Sequence, residues 1–483
     1  MSGGRTLTKV LTRTMLLLHC LCCVSLFLSS CAERVTYSTN AAHKLSFSLD
    51  TVSFDTVFTS IGSSVEGFIV YNNNDEALRL DVSVAGGADS PFRINVDGQS
   101  GVSLGGLEIR GGDSLFCFVS VTIDPHDSDS PLLEEDSIRF LLESGTHQSV
   151  LLQAYGQDIV RMNGTVLKAG THTVLTSARP YLIYDSLYVE NGAVLELRRG
   201  ARLCFHDKAW MRVSGRLLAD GSPDSMVVMR GDRMDNMLTD IPYDIVAGRW
   251  GGITFDSCSF GNRLSGCDIH GGEWGVKADT SALDSLKVLM DGCIVHNVRG
   301  NALELDFCRA DVRNSQISNA GVHCVSLLGG YSTFNFCTIA SFYPWSLREC
   351  ALFISNRSDS VSYPLARADF LNCIITGISD DELLLSLADS TDNYSITHSL
   401  VLTKDTVDPH LRDNVWDVES NKVYGSGNFL HVAEGDFKYD FRLDSLSLAR
   451  GMAAPSASCP YDITGLARPD SLADVGCFQY TSQ

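Results

Sequence analysis

From residue 262 to residue 404 the chain repeats one pattern of apolar and polar positions. A small residue is followed by an unrestricted one and then an aliphatic one: Cys267-Asp268-Ile269, Cys293-Ile294-Val295, Ser315-Gln316-Ile317, Cys337-Thr338-Ile339, Cys373-Ile374-Ile375 and Ser399-Leu400-Val401. An apolar residue precedes each small one by three positions (Leu264, Met290, Val312, Phe334, Phe370, Ile396). Small and aliphatic inward with anything outward is the period-two signature of a strand with one buried face. Four positions after the small residue stand Gly271, Asn297, Asn319, Ser341, Gly377 and Thr403, mostly residues that accept turn geometry, so a bend follows each strand. A second apolar strand follows in most copies, such as Ala302-Leu303-Glu304-Leu305 and Ala351-Leu352-Phe353-Ile354.

The copies are separated by 26, 22, 22, 36 and 26 residues. Units of this length with short strands and no helical period cannot bury an apolar face alone and must stack on their neighbours. The pattern predicts a parallel β-helix over 159–424, with successive coils ~4.8 Å apart. Alternation of Val189, Leu195, Leu197, Leu203, Phe205, Val213 and Leu217 with polar residues supplies the first coils. An excursion over 232–248 interrupts the stack, and Arg249-Trp250-Gly251-Gly252-Ile253 re-enters it. The long step between Cys337 and Cys373 implies surface loops between Tyr343 and Tyr363. Residues 425–483 are expected to add a last coil and a cap, because the end of a β-helix exposes edge strands and core.

The same reading divides the rest of the chain. Runs such as Gly67-Phe68-Ile69-Val70-Tyr71 and Leu78-Arg79-Leu80-Asp81-Val82, punctuated by Asn/Asp/Gly clusters, predict an all-β domain over 45–158, a sandwich of immunoglobulin type. Residues 31–44 form a polar tether. Residues 1–30 carry a basic start (Arg5, Lys9, Arg13), an apolar run from Met15 to Leu28, and then Leu28-Ser29-Ser30-Cys31. This is a secretory leader, its apolar run shorter than the ~20 residues a span requires. Its ending resembles a bacterial lipobox. That resemblance implies a mature chain beginning at lipidated Cys31, held in the outer membrane and facing the periplasm or the cell surface.

Composition narrows the function classes. A net charge of −21 with 44% hydrophobic residues describes a folded acidic protein with no basic footprint for nucleic acid. Of sixteen cysteines, Cys20, Cys22 and Cys23 lie in the leader and Cys31 ends it; the others lack the spacing of a disulfide framework or a zinc motif. Cysteines of the repeat are read as small soft hydrophobes in an inward corner. The acidic run Asp124-Pro125-His126-Asp127-Ser128-Asp129 lacks the regular ligands and central Gly of a calcium loop and is read as a solvated turn, leaving calcium a weak possibility and no other cofactor.

Three further stretches carry a family resemblance: Leu49-Asp50-Thr51-Val52-Ser53-Phe54-Asp55-Thr56-Val57-Phe58, the Trp250-Gly251-Gly252-Ile253 re-entry, and a C-terminal D-x-x-G-x-x-R (Asp462, Gly465, Arg468) followed by D-x-G (Asp474, Gly476). Together they resemble right-handed parallel β-helix lipoproteins of Bacteroidota-type bacteria, with a pectate-lyase-like fold. The resemblance implies the architecture and leaves the activity open, since this fold hosts lyases, hydrolases, epimerases and adhesins. Where the family has D-x-G-A-x-E, this chain has Cys477 and Gln479. Asp followed by Ser or Thr and then mostly an apolar residue, as at Asp50, Asp113, Asp185 and Asp444, looks like the O-glycosylation signal of the same bacterial group, and equally marks strand entry after a turn.

Candidate chemistry is sought on the outward positions of the ladder: Asp268, His270, Ile294, His296, Gln316, Ser318, Thr338, Ala340, Ile374, Thr376, Leu400 and Leu402. They hold no row of paired carboxylates of the kind glycosidic cleavage needs, so no catalytic residue is assigned. His270 and His296 stand at equivalent positions on successive coils; a two-histidine metal corner is weighed against coincidence, and no metal site is assigned. Trp274, Trp345 and Trp416 are candidate platforms for sugar rings, with core packing as the alternative. Arg230-Gly231-Asp232 spells an integrin-type tripeptide at a strand end. The favoured expectation is a non-enzymatic lipoprotein presenting its β-helix to glycan or another envelope component. The alternative is a polysaccharide lyase or hydrolase with acids on loops such as 232–244 or 380–392.

Overall fold

The computed structural model describes residue 15 and residues 36–482, apart from 239–240, 389–392, 434, 436 and 457. Cys31 and the leader around it lie outside the described residues, except Met15. Two compact units emerge: one takes the chain up to Ser53 with Val65–Val121 and Glu135–Gln153, the other Phe54–Ser64, Thr122–Glu134 and everything from Ala154. Strands between Ser46 and Gln157 form two five-stranded sheets. In the first unit Phe68 of one sheet meets Phe140 of the other edge-on at 6.4 Å, and both are buried.

The second unit is a parallel β-helix, as the repeat predicts. Each coil contributes a strand to three faces. The first face includes Arg202–Phe205, Val227–Gly231, Cys267–His270, Ile294–Val298, Gln316–Ala320, Thr338–Ser341, Ile374–Gly377 and Leu400–Val401. On the second lie Trp210–Val213, Ile253–Phe255, Val276–Ala278, Leu303–Asp306, Val325–Leu328, Leu352–Ser355 and Leu383–Ser386. The third runs from His172–Leu175 to Leu411–Arg412 through ten strands. Pairing is parallel and in the expected register, with Ile317 opposite Val295 and Ile339. All six residues of the small ladder and all six of the aliphatic ladder are buried without exposure.

The corner between third and first faces explains the alternation of Cys and Ser. The residue before each small one has positive φ: Gly266 (55°), Gly292 (64°), Asn314 (49°), Phe336 (54°), Asn372 (57°) and His398 (48°). This tight bend aims the next side chain back at the carbonyl two residues before it. Cys267 Sγ donates to Ser265 O at 3.5 Å, Cys293 to Asp291 O at 3.6 Å, Ser315 Oγ to Arg313 O at 2.6 Å, Cys337 to Asn335 O at 3.6 Å, Cys373 to Leu371 O at 3.3 Å and Ser399 Oγ to Thr397 O at 2.9 Å. The position needs a small side chain with a donor, which either residue supplies. All cysteines among the described residues are free thiols.

The C-terminal residues correct two expectations. Phe429–Ala433 and Lys438–Leu443 form a hairpin, and the chain beyond it returns along the outside of the first face instead of only closing the last coil. Phe429, Phe441, Leu443, Ala449 and Val475 pack on Ala340, Ile374 and Leu400. The outward positions of this face are therefore covered: Gln316 is 8% exposed, Thr338 1%, Ile374 and Leu400 0%. The D-x-x-G-x-x-R and D-x-G motifs fasten this strap. Arg468 lies 4.0 Å from the Phe336 ring and donates to Asn314 Oδ1 at 2.9 Å and Gly476 O at 3.0 Å. Asp462 accepts from Thr464 N, Leu466 N and Gln479 N, and Asp474 from Gly451 N and Tyr480 N. Gly476, at φ 86°, runs so close to the first face that a Cβ there would lie 2.6 Å from Ile374 Cδ1.

Two excursions fold onto the same region. The loop after Gly231 contains a small hairpin, Asn236–Leu238 with Ile241–Pro242, and delivers Asp244 to His270. The loop after Ser341 is pinned by a buried Arg348–Glu382 ion pair, whose carboxylate also accepts from Ala351 N and Ser379 N at 2.8 Å each.

Candidate functional site

Outside the second face lies an open cleft of about 630 Å³. Its floor is a row of side chains that the parallel register places one above another: Arg212, Thr254, Lys277 and Glu304. Trp210, Trp274, Glu273 and Asn301 form its walls. Trp210 is 36% exposed, and Trp274 is anchored by its indole N–H to Ile253 O at 3.2 Å. Phe255, Ala278 and Leu305 are in register, and each is followed by an aspartate, so Asp256, Asp279 and Asp306 form an acidic column beside the floor. Neighbouring members are one coil apart, ~4.8 Å.

The members of the column differ in what holds them. Asp256 is tied to Arg212 Nε at 2.6 Å and to the Ser214 hydroxyl. Asp279 has no side-chain hydrogen bond among the described residues. Lys277 Nζ sits 2.6 Å from Glu304 Oε1 and 3.7 Å from Asp306 Oδ2, and Asn301 Nδ2 donates to Glu304 Oε2 at 2.8 Å. Burial, reinforced by the Glu304 carboxylate, pushes the Asp306 carboxyl up to about 6; Lys277 opposes this only in part. A carboxyl pushed up in this way, next to other carboxylates at the edge of a cleft, has the character of a general acid.

A second cluster lies on the first face under the strap. His270 is 4% exposed; its Nδ1 is 2.8 Å from Asp268 Oδ1 and its Nε2 2.7 Å from Asp244 Oδ1. His296 Nε2 is 3.2 Å from Asp268 Oδ1, and Arg230 Nη1 is 2.9 Å from Asp244 Oδ1. The two imidazoles stand 4.8 Å apart at 37°. Asp268 and the hydrogen bond that His270 donates to Asp244 outweigh the cost of burial and raise His270 to about 9, while Asp244 is lowered to about 2 by His270 and Arg230. Asp268, His270 and His296 are the one group of metal-type donors this close together among the described residues. A cleft of about 330 Å³ adjoins them, lined by Gln316, Ser318, Tyr439, Phe441 and Arg442.

Of the residues singled out from sequence, Trp274 lines the large cleft and His270 and His296 share the buried cluster. Trp345 stacks on Phe437 at 4.9 Å and donates to Ile245 O at 3.3 Å, joining loop to strap. Trp416 packs against the core at the last coil. Side chains of the Arg230-Gly231-Asp232 tripeptide are engaged internally, Asp232 with His206 Nδ1 at 2.6 Å. In the acidic turn, Asp127 and Asp129 pair with Arg179 at 2.9 and 2.7 Å. The acidic column is absent from the outward positions of the first face. Its signal, an aspartate after the last inward residue of three consecutive second-face strands, is visible in Phe255-Asp256, Ala278-Asp279 and Leu305-Asp306.

No family model matches the chain, and no curated protein does. Among solved structures it is similar to the catalytic unit of a thermostable GH87 alpha-1,3-glucanase from Streptomyces thermodiastaticus strain HF3-3, at 11% identity over 72% of this chain and 75% of that one, TM-score 0.31. A family 123 glycoside hydrolase from Clostridium perfringens is 11% identical over 26% of each chain, TM-score 0.19, so the match spans well under two thirds of that enzyme. A protein of unknown function from Porphyromonas gingivalis W83 is 15% identical over 30% of this chain and 58% of that one, TM-score 0.18.

Proposed function

We propose that this protein is a lipid-anchored envelope protein that binds glycan in the cleft outside the second face of its β-helix. The observation that carries the reading is the pairing of Trp210 and Trp274 with Lys277, Asn301 and Glu304 around about 630 Å³. Aromatic faces take up the apolar faces of sugar rings, and charged and amide groups at fixed register bond their hydroxyls. The lipobox ending at Cys31 supports the anchor. A glycan array probed with the soluble chain lacking residues 1–31 tests it: retention of a defined glycan class that Trp274→Ala abolishes is expected, and a blank array sinks the reading.

A second reading, a polysaccharide hydrolase, is favoured by Asp306. With Asp306 as proton donor and Asp279, one coil away, as its partner, the column supplies the two carboxylates that glycosidic cleavage uses. Release of reducing ends from the glycan that binds, lost in Asp306→Asn with binding retained, distinguishes hydrolase from binder.

A further inference from the structure

We propose that Asp268, His270 and His296 form a zinc site beneath the C-terminal strap. Ligand atoms of a tetrahedral zinc, each ~2.0–2.2 Å from the metal, stand a little over 3 Å apart. Asp268 Oδ1 is 2.8 Å from His270 Nδ1 and 3.2 Å from His296 Nε2, and all three donor atoms lie within 4.8 Å of one another, so small rotations of the side chains bring them to the spacing that admits the ion. Backbone register sets the arrangement: Asp268 and His270 project from one strand, and His296 pairs with His270 on the next.

The surroundings match what a metal-bound histidine requires. A ligating imidazole donates its other N–H to a carboxylate, which fixes ring orientation and strengthens it as a donor. His270 Nε2 has that partner in Asp244 Oδ1 at 2.7 Å, and Arg230 Nη1 holds the same oxygen at 2.9 Å. Once His270 gives up a proton to make way for the metal, two carboxylates against one guanidinium leave a negative balance at the cluster, suited to a cation. The cleft of about 330 Å³ lined by Asp268 and His296 leaves the fourth position open to water or to a ligand atom. On binding, zinc accepts lone pairs from His270 Nδ1, His296 Nε2 and Asp268 Oδ1; the proton on His270 Nδ1 leaves to solvent, and the Nε2 proton that His296 donates to Asp268 gives way to the Nδ1–H tautomer. Two imidazoles and one carboxylate favour zinc over calcium or magnesium, which take oxygen shells.

The rival arrangement is a metal-free tie in which a charged His270 bridges Asp244 and Asp268. Calorimetric titration of the chelator-stripped chain with zinc sulfate, in excess calcium and magnesium, separates the two. One zinc per chain at micromolar affinity or tighter is expected, with an observed heat that varies with buffer ionisation enthalpy as proton release requires. His296→Gln and Asp268→Asn should each weaken binding at least about tenfold, and Asp244→Asn by about 10–100-fold. Cys258→Ser, which removes the exposed thiol, and Trp274→Ala in the other cleft should leave it unchanged. His296 is partly exposed, so its variant should keep the melting temperature of the metal-free chain. Cobalt uptake by the unsubstituted chain, read by its visible absorption, is a second readout that needs no variant. Absence of stoichiometric zinc and cobalt binding, or binding that survives both His296→Gln and Asp268→Asn, overturns the site. Either outcome leaves the glycan reading untouched, since that rests on another face.

Discussion

At the corner of each coil a single side chain does two things: it fills a narrow space and caps the carbonyl two residues before it. Cys337 should therefore tolerate Ser, already present at Ser315 and Ser399, with a loss below about 1 kcal/mol, whereas Cys337→Val removes the donor, overfills the corner and should cost about 2–4 kcal/mol. Chemical denaturation of the two variants reads the difference. On the preceding coil, Ile317→Asp buries an unpaired charge and should cost several kcal/mol. Its neighbour Gln316 points to the other side of the strand and by sequence alone belongs in water. Under the strap it is buried and donates to Ser318 Oγ at 2.9 Å, so Gln316→Asp should cost about 1–3 kcal/mol, between the surface average and the core value.

At the scale of elements, the second face carries a pH dependence that one substitution isolates. The Asp306 carboxyl stands at about 6 in the folded chain against an ordinary 3.8, so the folded state holds its proton more tightly than the unfolded one. Its unfavourable contribution is absent below pH 3.8, grows as pH rises through 6, and reaches at most about 3 kcal/mol at neutral pH. Asp306→Asn should raise the melting temperature at pH 7.5 and leave it unchanged at pH 3.5; equal shifts at both would show that the carboxyl is not perturbed. The strap makes its own prediction. Gly476→Ala meets both a disfavoured φ and the Ile374 side chain, so it should lift the strap locally and expose residues 429–480 to limited proteolysis while the coils stay protected. The ladders were legible because period-two alternation, a small corner residue and a bend recur together. The acidic column escaped because it lies on the second face, outside the six-copy ladder, and Asp306 is meaningful only once Lys277 and Glu304 are known to adjoin it. Cover over the first face had a signal, since outward Ile374 and Leu400 are too apolar for water, yet which segment covers them depends on contacts more than a hundred residues apart, such as Cys477 with Thr338.

For the whole molecule, a stack of coils has stability set by each coil and its neighbours, which lets distant parts open separately. The strap changes this for one end. It bonds to Asn314, Asn335, Thr338 and Asn372 on successive coils, so these should open together, while the coils between Tyr181 and Gly231 respond independently. Native-state hydrogen exchange should show one common opening free energy across 314–377 and a different one for 181–231, and a single value for both would contradict the suture. Anchoring belongs to the same scale: a fatty-acid probe should label the wild-type protein in cells and not Cys31→Ala. Synthesis runs from the N-terminus, so coils can stack as they arrive. The flank bearing Ile374 and Leu400 nevertheless stays bare until residues 429–480 follow. The strap thus doubles as a certificate of completion: a chain cut short in that stretch displays a greasy stripe that the full-length chain keeps out of water.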